Sequence, residues 1–427
     1  MGASVLTSGY QEAAGTLHCE TVPLDALAAE VGTPAYVYST ASIREAYERL
    51  TAALTGVPFR VHYSVKANSN LAVLALLREL GAGVDIVSGG ELYRAQQAGF
   101  TGADMVFSGV GKSATEMHQA LDAGVLFFNV ESEGELLALE AVAAERGTRA
   151  AVALRVNPEV DVETPHAYTR TGGKGHKFGI PYDEVRVVAR RAATSPHLRL
   201  VGLDMHIGSQ LSRMEPYEHG LEKMRELLAM VRADGAPDLA WLDVGGGLAV
   251  QYDGEEPADL DAFGAMVRAT AEQTGLRIVV EPGRFLVANA GILLTRVLYT
   301  KRSGGKDYVI VDAGMTELIR PSHYDAYHAV GAVAPTGARA TVDVVGPVCE
   351  SGDFLALARE MDAVAAGDLV VVHSAGAYGF VMASNYNSRP RACEVLVDGD
   401  RWAVVRERER QEDLVRGETA TPAWRSR

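Results

Sequence analysis

The sequence predicts an α/β protein: a (β/α)8 barrel joined to a mostly antiparallel β domain. Three observations carry this. Between residues 60 and 280, eight short apolar runs alternate with segments of helical spacing. Strands that alternate with helices pair in parallel. After Ala290 the long helical segments stop and apolar alternation takes over.

Each element can be placed in order. Residues 1 to about 35 are mixed in texture, and Pro34–Ser39 (PAYVYS) is a short β-prone stretch. The eight runs are Arg60–Val65, Val84–Val87, Met105–Phe107, Leu126–Val130, Ala151–Val156, Val201–Ile207, Trp241–Val244 and Arg277–Val280. Helical spacing falls between them, as in Leu71–Leu80, Gly90–Ala98, Ala114–Ala123, Glu133–Glu145, Tyr182–Ala193, Tyr217–Asp234 and Leu260–Thr274. Eight such units in about 250 residues match a closed barrel. An open doubly wound sheet is the competing arrangement. Beyond Ala290, strands are predicted at Gly291–Tyr299, Tyr308–Val311, Ala340–Val345, Leu369–Val372, Glu394–Val397 and Trp402–Val405, with SGGK and DGD as turn signals. The charged end, RERERQEDLVRGETATPAWRSR, predicts a surface helix followed by a frayed tail. The domains are therefore a barrel over residues 36–290 and a β domain over 291–427.

Composition narrows the function. The chain has 427 residues, 48% hydrophobic and 22% charged, as for a soluble globular protein that buries a large core. A net charge of −15 argues against nucleic-acid binding, which needs a basic face. It leaves room for an anionic ligand held by local cations. The cysteines are Cys19, Cys349 and Cys393; the number is odd, the spacing wide, and no CxxC pair occurs. That disfavours a disulfide framework or a metal site and fits a reducing cytoplasm. The start, MGASVLTSGYQEAAG, lacks the signal-peptide pattern and has Leu6 where myristoylation needs Ser or Thr. No apolar run reaches membrane-spanning length.

Chemistry in a barrel gathers at the C-terminal strand ends, and polar residues collect there repeatedly. Lys66 follows the first apolar run directly. A lysine so placed either snorkels to water or is functional, and desolvation can lower its pKa for imine formation. The second run ends near Asp85 and the SGGE at 88–91. The sixth ends in His206-Ile207-Gly208-Ser209; the histidine is either a buried structural group or a flat ring for stacking. Gly245, Gly246 and Gly247 follow the seventh, giving either a flexible turn or a nest of N–H groups that cradles phosphate. Glu281, Pro282, Gly283 and Arg284 follow the eighth. Loops after strands seven and eight make the phosphate site in many barrels. If a pyridine ring lies there, Glu281 would keep its nitrogen protonated; otherwise it is an acid in a helix N-terminal turn. Arg284 suits a phosphate or substrate carboxylate, or pairs with Glu281.

The β domain adds three clusters. Arg320 and Tyr324 are candidates for a carboxylate clamp, Tyr324 equally for interface packing. Cys349 and Glu350 lie between glycine-bounded turns, which suits exposed chemistry, although a lone cysteine is also a common structural residue. Tyr378 sits in AGAYG with little local packing, which leaves its hydroxyl for a task.

These clusters are YSVKAN (63–68), GVDIVSGGE (83–91), HKFGI (176–180), HIGSQ (206–210), DVGGG (243–247), EPGR (281–284), RPSHYDAYH (320–328), GPVCESGD (346–353) and AGAYGFVMASNYNSRPR (375–391). In this order they resemble the fold-type III pyridoxal-phosphate decarboxylases, and among them the diaminopimelate decarboxylases. The resemblance runs from about residue 30 to 405. It implies an alanine-racemase-type barrel, with residues 1–35 joining the β domain. It implies pyridoxal 5'-phosphate carried by Lys66 as a Schiff base. Asp85, Gly245, Gly246, Gly247 and Glu281 through Arg284 would join the cofactor site, with Tyr378 and Ser209 assisting and His206 stacking on the ring. Arg284, Arg320, Tyr324 and Tyr378 would bind substrate, Glu350 its distal ammonium, and Cys349 would deliver a proton after carbon dioxide leaves. It further implies a cytoplasmic homodimer whose Cys349 loop serves the neighbouring subunit. The expected reaction is decarboxylation of meso-2,6-diaminopimelate to L-lysine, the last step of lysine biosynthesis. One departure is Arg170, where the family often has a small residue; it is either a surface charge or a modifier of selectivity.

Rival readings are a decarboxylase of ornithine, lysine or another amino acid, a racemase on the same barrel, and a non-catalytic cofactor carrier. The Arg320/Tyr324 pair argues for a substrate with a second carboxylate. A racemase would need its second base at Cys349. Retention of both Lys66 and Cys349 speaks against the carrier.

Overall fold

The eight apolar runs form parallel strands: Phe59–Ser64, Gly83–Ile86, Met105–Phe107, Phe127–Val130, Ala150–Asn157, Leu198–Met205, Trp241–Asp243 and Arg277–Val280. Each pairs with the next, and the last pairs with the first through Ile278 and Phe59, so the sheet closes. Closure eliminates the open doubly wound alternative. This computed structural model describes residues 9–160, 166, 176–236 and 239–425. Arg170 lies outside the described residues.

Local chemistry starts and stops the helices. Asn70, Ser88, Ser113, Ser132 and Asp259 each accept a backbone N–H at a helix N-terminus. Ser113 and Glu116 complete a capping box. Gly124 and Gly275 end their helices in the left-handed region. The helices Ala114–Ala123, Glu133–Glu145 and Leu260–Thr274 span the residues their spacing predicts. Because the strands are covered on both faces, they are apolar almost throughout. Several exceptions lie opposite one another on neighbouring strands. Ser64 is the partner of Asp85, Arg155 of Asp204, and Asp204 of Asp243. All five are buried, which makes a polar layer where the strands end.

The barrel unit comprises mainly Thr40–Gly291 with Gly376–Val381. The second unit comprises Tyr10–Ser39, Ile292–Ala375 and Met382–Arg427. Its long strand Gly291–Ser303 turns at Gly304-Gly305 into Lys306–Val311. Arg339–Val345, Leu369–Val372, Cys393–Asp398 and Arg401–Arg406 continue the sheet. Most pairings are antiparallel, but Lys306–Val311 runs parallel to Arg339–Val345, and Ala35–Ser39 runs parallel to Cys393–Asp398. Tyr10, Leu17, Leu24, Leu27 and Val37 from the N-terminal part pack with Ile292, Leu294, Val371 and Val395 in one core.

Two features differ from the sequence reading. Phe354–Asp362 is a strand paired with Arg339–Val345. Its alternation is hidden by register shifts at Val342/Val344 and Val344/Val345 and by Ala358 at φ +45°. The charged C-terminal segment is not a long helix; only Gln411–Leu414 is helical. Arg408 donates to the Pro34 and Val31 carbonyls, and Glu409 binds Arg391, so this stretch is tied down in extended form. Among the described residues no helix is long and apolar enough to cross a membrane.

Gly264 faces the helix Thr40–Ala53, and a Cβ there would strike the Ala53 carbonyl oxygen. Gly264→Ala should therefore cost about 1–3 kcal/mol by overpacking a backbone that has no flexible end to yield. Urea unfolding checks this; a change within about 0.5 kcal/mol, the range of ordinary surface substitutions, would show that the two helices separate freely.

Candidate active site

The first strand delivers Lys66 into a single 3-10 turn, Val65–Ala67. Tyr63 Oη donates to the Asn68 carbonyl at 2.9 Å, and the Tyr378 N–H donates to the Ala67 carbonyl at 2.8 Å, so the turn is held from both sides. Lys66 Nζ lies 2.6 Å from Asp85 Oδ2 and 3.4 Å from Ser64 Oγ, while 40% of the lysine side-chain surface stays open. Burial alone would pull this amine down, as the sequence argument expected. Instead the negative charges of Asp85 and then Glu281 win and hold it above the ordinary lysine range. Burial pushes Asp85 up, but Lys66 outweighs it and holds Asp85 below the usual carboxylate range.

The glycine turn sits against the end of strand eight. The Glu281 N–H donates to the Gly245 carbonyl at 2.8 Å, and a Cβ on Gly246 would collide with the Glu281 carbonyl oxygen. Gly245 and Gly247 have φ of +70° and +105°, conformations glycine adopts freely. The expectation of exposed N–H groups holds only in part. Gly245 N–H donates to Asp243 Oδ1 at 2.9 Å, and Gly246 N–H donates to His206 Nδ1 at 3.2 Å. His206 accepts that bond as a neutral ring. Burial, then the charges of Arg155 and Lys66, push its pKa down to about 3.

Arg284 donates to Tyr252 Oη at 2.7 Å and to Ser209 Oγ at 3.4 Å. Its guanidinium lies 4.9 Å from the centre of the Tyr378 ring. Gly283 packs its Cα against Ser64 and Ala67, where a Cβ would lie 3.0 Å and 3.1 Å from their Cβ atoms. The structure thus gathers Lys66, Asp85, His206, Ser209, Gly245–Gly247, Glu281–Arg284 and Tyr378 in one unit.

Behind Lys66 lies the polar layer. Glu281 Oε1 accepts from Ser108 Oγ and from Asn129 Nδ2, both at 3.3 Å. The same amide reaches Asp243 Oδ2 at 3.3 Å. Carboxylate oxygens of Asp204, Asp243 and Glu281 lie within 4.8 Å of one another. Arg155 binds Glu131 at 2.8 Å and approaches Asp204 at 3.8 Å. Burial, then Asp85, pushes Glu281 up to about 7. Burial also raises Asp204 and Asp243 well above the usual range.

Arg320, Tyr324, Cys349 and Glu350 belong to the second unit. Arg320 is buried, and its Nη1 lies 2.8 Å from His328 Nε2, whose Nδ1 meets the His373 carbonyl at 2.8 Å. Tyr324 stacks edge-on against His323 at 4.5 Å. Cys349 and Glu350 are exposed. Buried Asp353 shapes their loop by accepting the Val348 and Met315 N–H groups, both at 2.6 Å. The Cys349 N–H donates to Asn387 Oδ1 at 2.9 Å.

Sequence reasoning missed Asn129, Arg155, Asp204, Asp243, Ser108 and Tyr252, together with His328, Asp353 and Asn387. A signal existed for the strand residues: LFFNV, ALRV, GLDM and WLDV each place one polar group inside an apolar parallel strand, where burial demands a partner.

The barrel residues 40–288 match the family described as "Pyridoxal-dependent decarboxylase, pyridoxal binding domain". Fold and site thus define a pyridoxal-phosphate-dependent amino-acid decarboxylase. A diaminopimelate decarboxylase of Pseudomonas aeruginosa is 50% identical over 97% of this chain and 99% of its own. The solved diaminopimelate decarboxylase of Helicobacter pylori, complexed with L-lysine, has a TM-score of 0.89 at 41% identity, covering 92% of this chain and 98% of that one. The enzyme from M. jannaschii, also complexed with L-lysine, has a TM-score of 0.93 at 33% identity, covering 98% and 99%. The chain belongs to the diaminopimelate decarboxylase family.

Neutral, half-buried His206 makes a pH prediction. An unfolded histidine titrates near 6.5, whereas His206 stays neutral down to about 3. As pH falls from 6.5 towards 3, the unfolded chain binds a proton that the folded chain refuses. Stability is therefore complete above 6.5 and falls towards acid, by up to about 1.4 kcal/mol per pH unit for this group. His206→Gln, which keeps an acceptor for Gly246, should flatten the fall in melting temperature between pH 7 and pH 5. Unchanged pH dependence would contradict the neutral assignment.

Proposed function

We propose that this protein decarboxylates meso-2,6-diaminopimelate to L-lysine and carbon dioxide, with pyridoxal 5'-phosphate held at Lys66. The observation that carries the reading is the Lys66 amine at the barrel mouth, open on one side, with Asp85 at 2.6 Å and Glu281 behind it. The chain's own residues fit the cofactor. Acidic groups outnumber their cation partners around the amine, which suits a cationic ring. Glycines at 245–247 and 283 let these turns pack tightly on the neighbouring strand ends, where a Cβ would strike backbone or side chains. Arg284 stands beside Ser209 and the Tyr378 ring.

Bound pyridoxal phosphate supplies the electron sink for the pair left behind when the α-carboxylate departs. Lys66 holds the cofactor, and Asp85 orients that amine. Glu281 keeps the ring nitrogen protonated. The neutral His206 presents a flat ring without adding a second positive charge. Gly245–Gly247, Pro282, Gly283, Arg284, Ser209 and Tyr378 hold the phosphate end. Arg284, Arg320, Tyr324 and Tyr378 bind substrate carboxylate, and Glu350 takes the distal ammonium. Cys349, exposed on a loop fixed by Asp353, returns a proton to the α-carbon. We place this chemistry in a cytoplasmic homodimer whose subunits share their sites. The lysine found in the two solved relatives supports lysine as product.

Purified protein supplied with meso-diaminopimelate should release carbon dioxide and lysine, with ornithine and lysine as poor substrates. Lys66→Ala should abolish both turnover and the visible colour of the bound cofactor; intact turnover would remove Lys66 from its role. Cys349→Ala should lower kcat by about 10²–10⁴, the scale of a lost proton donor, and leave cofactor absorption unchanged. An unaltered kcat would assign the proton to another group.

A further inference from the structure

Asp243 ends the seventh strand and Glu281 follows the eighth. These strands run in register, Asp243 opposite Val279, and the Glu281 N–H is tied to Gly245. The two carboxyl groups are thereby forced together, both buried, at 0% and 6% exposure. A single amide, Asn129 Nδ2, reaches both at 3.3 Å. The nearby cations are committed elsewhere: Lys66 to Asp85, and Arg155 to Glu131 and Asp204. Among the described residues no lysine or arginine forms an ion pair with Asp243 or Glu281. Two adjacent buried carboxylates without a cation cannot both be ionised, so they share a proton.

Which oxygen carries it follows from the donors. Asp243 Oδ1 accepts the Gly245 N–H at 2.9 Å, whereas Oδ2 accepts only the longer 3.3 Å contact from Asn129, so Oδ2 is the oxygen left to carry the proton. Each carboxyl accepts two hydrogen bonds, but Glu281 also feels the positive charges of Lys66 and Arg155, so it is the better anion.

We propose that Asp243 is a positioning residue: it keeps the proton of this shared pair and donates it to Glu281, fixing the Glu281 carboxylate toward the cofactor's ring nitrogen. The second half rests on the assignment of Glu281 to that nitrogen. Asp243 itself touches neither cofactor nor substrate.

Infrared spectra of the cofactor-free protein at neutral pH, in H2O and 2H2O, read the proton directly. A deuterium-sensitive carboxylic-acid band is expected to lose intensity in Asp243→Asn; an identical band in the variant overturns the proposal. In the holoenzyme, Asp243→Asn keeps an acceptor for Gly245 and a donor toward Glu281. It should retain cofactor affinity within about threefold and the wild-type absorption spectrum. Asp243→Val supplies neither and should weaken cofactor binding roughly tenfold or more, the scale of a buried acceptor stripped of its donor. An Asn variant as impaired as the Val variant would show that charge, not a proton, is needed, and overturns the proposal. A Val variant equal to wild type overturns it too. Glu281→Gln tests the underlying assignment separately. Unchanged cofactor affinity and spectrum there would sink the ring-nitrogen half, while the infrared result, read without cofactor, stands or falls by itself.

Discussion

Charge imbalance beneath the barrel mouth constrains everything around it. Asp85, Glu131, Asp204, Asp243 and Glu281 are buried or nearly so, while Lys66 and Arg155 are the cations set against them. Burying an unpaired carboxylate costs several kcal/mol. The fold meets that cost in three ways. It pairs Lys66 with Asp85, it spreads Arg155 between Glu131 and Asp204, and it leaves the remaining acids to hold protons or accept hydrogen bonds from Asn129 and Ser108. A cationic ring arriving at Lys66 would enter a field already built for it. Preorganised electrostatics of this kind need no rearrangement when charge develops.

The backbone makes this arrangement rigid. Strands seven and eight end in turns packed so closely that Gly246 admits no Cβ beside the Glu281 carbonyl. Tyr217 Oη holds the Gly246 carbonyl at 2.6 Å from the outer helix Glu215–Ala233. The same turns therefore place the carboxylate, constrain His206 and align Arg284. The second unit follows a different logic. Its Cys349 loop is exposed, yet it is not slack, because one buried carboxylate, Asp353, takes two of its neighbours' N–H groups and Asn387 takes a third.

Much of this was legible in the sequence. Periodicity located all eight barrel strands, because parallel strands buried on both faces read as plain apolar runs. Lys66, Glu281, Arg284 and the glycine turn stood out because each interrupts an apolar pattern at a strand end. The polar layer was harder to see. One Asp or Asn within a strand looks like an isolated exception, and only closure of the sheet reveals that Asp204, Asp243 and Asn129 meet. Phe354–Asp362 was missed since a strand with register shifts loses its alternation. The charged C-terminal segment misled for the opposite reason. Its residues favour helix, but Arg408 and Glu409 have tertiary partners that hold it extended.

The placement of the cofactor amine is most directly tested by chemical mapping. Protein loaded with pyridoxal phosphate is reduced with borohydride, digested, and its peptides weighed. Modification confined to the peptide carrying Lys66 is the expected result. Modification at Lys112 or Lys223, with Lys66 untouched, would contradict the site built on the first barrel strand.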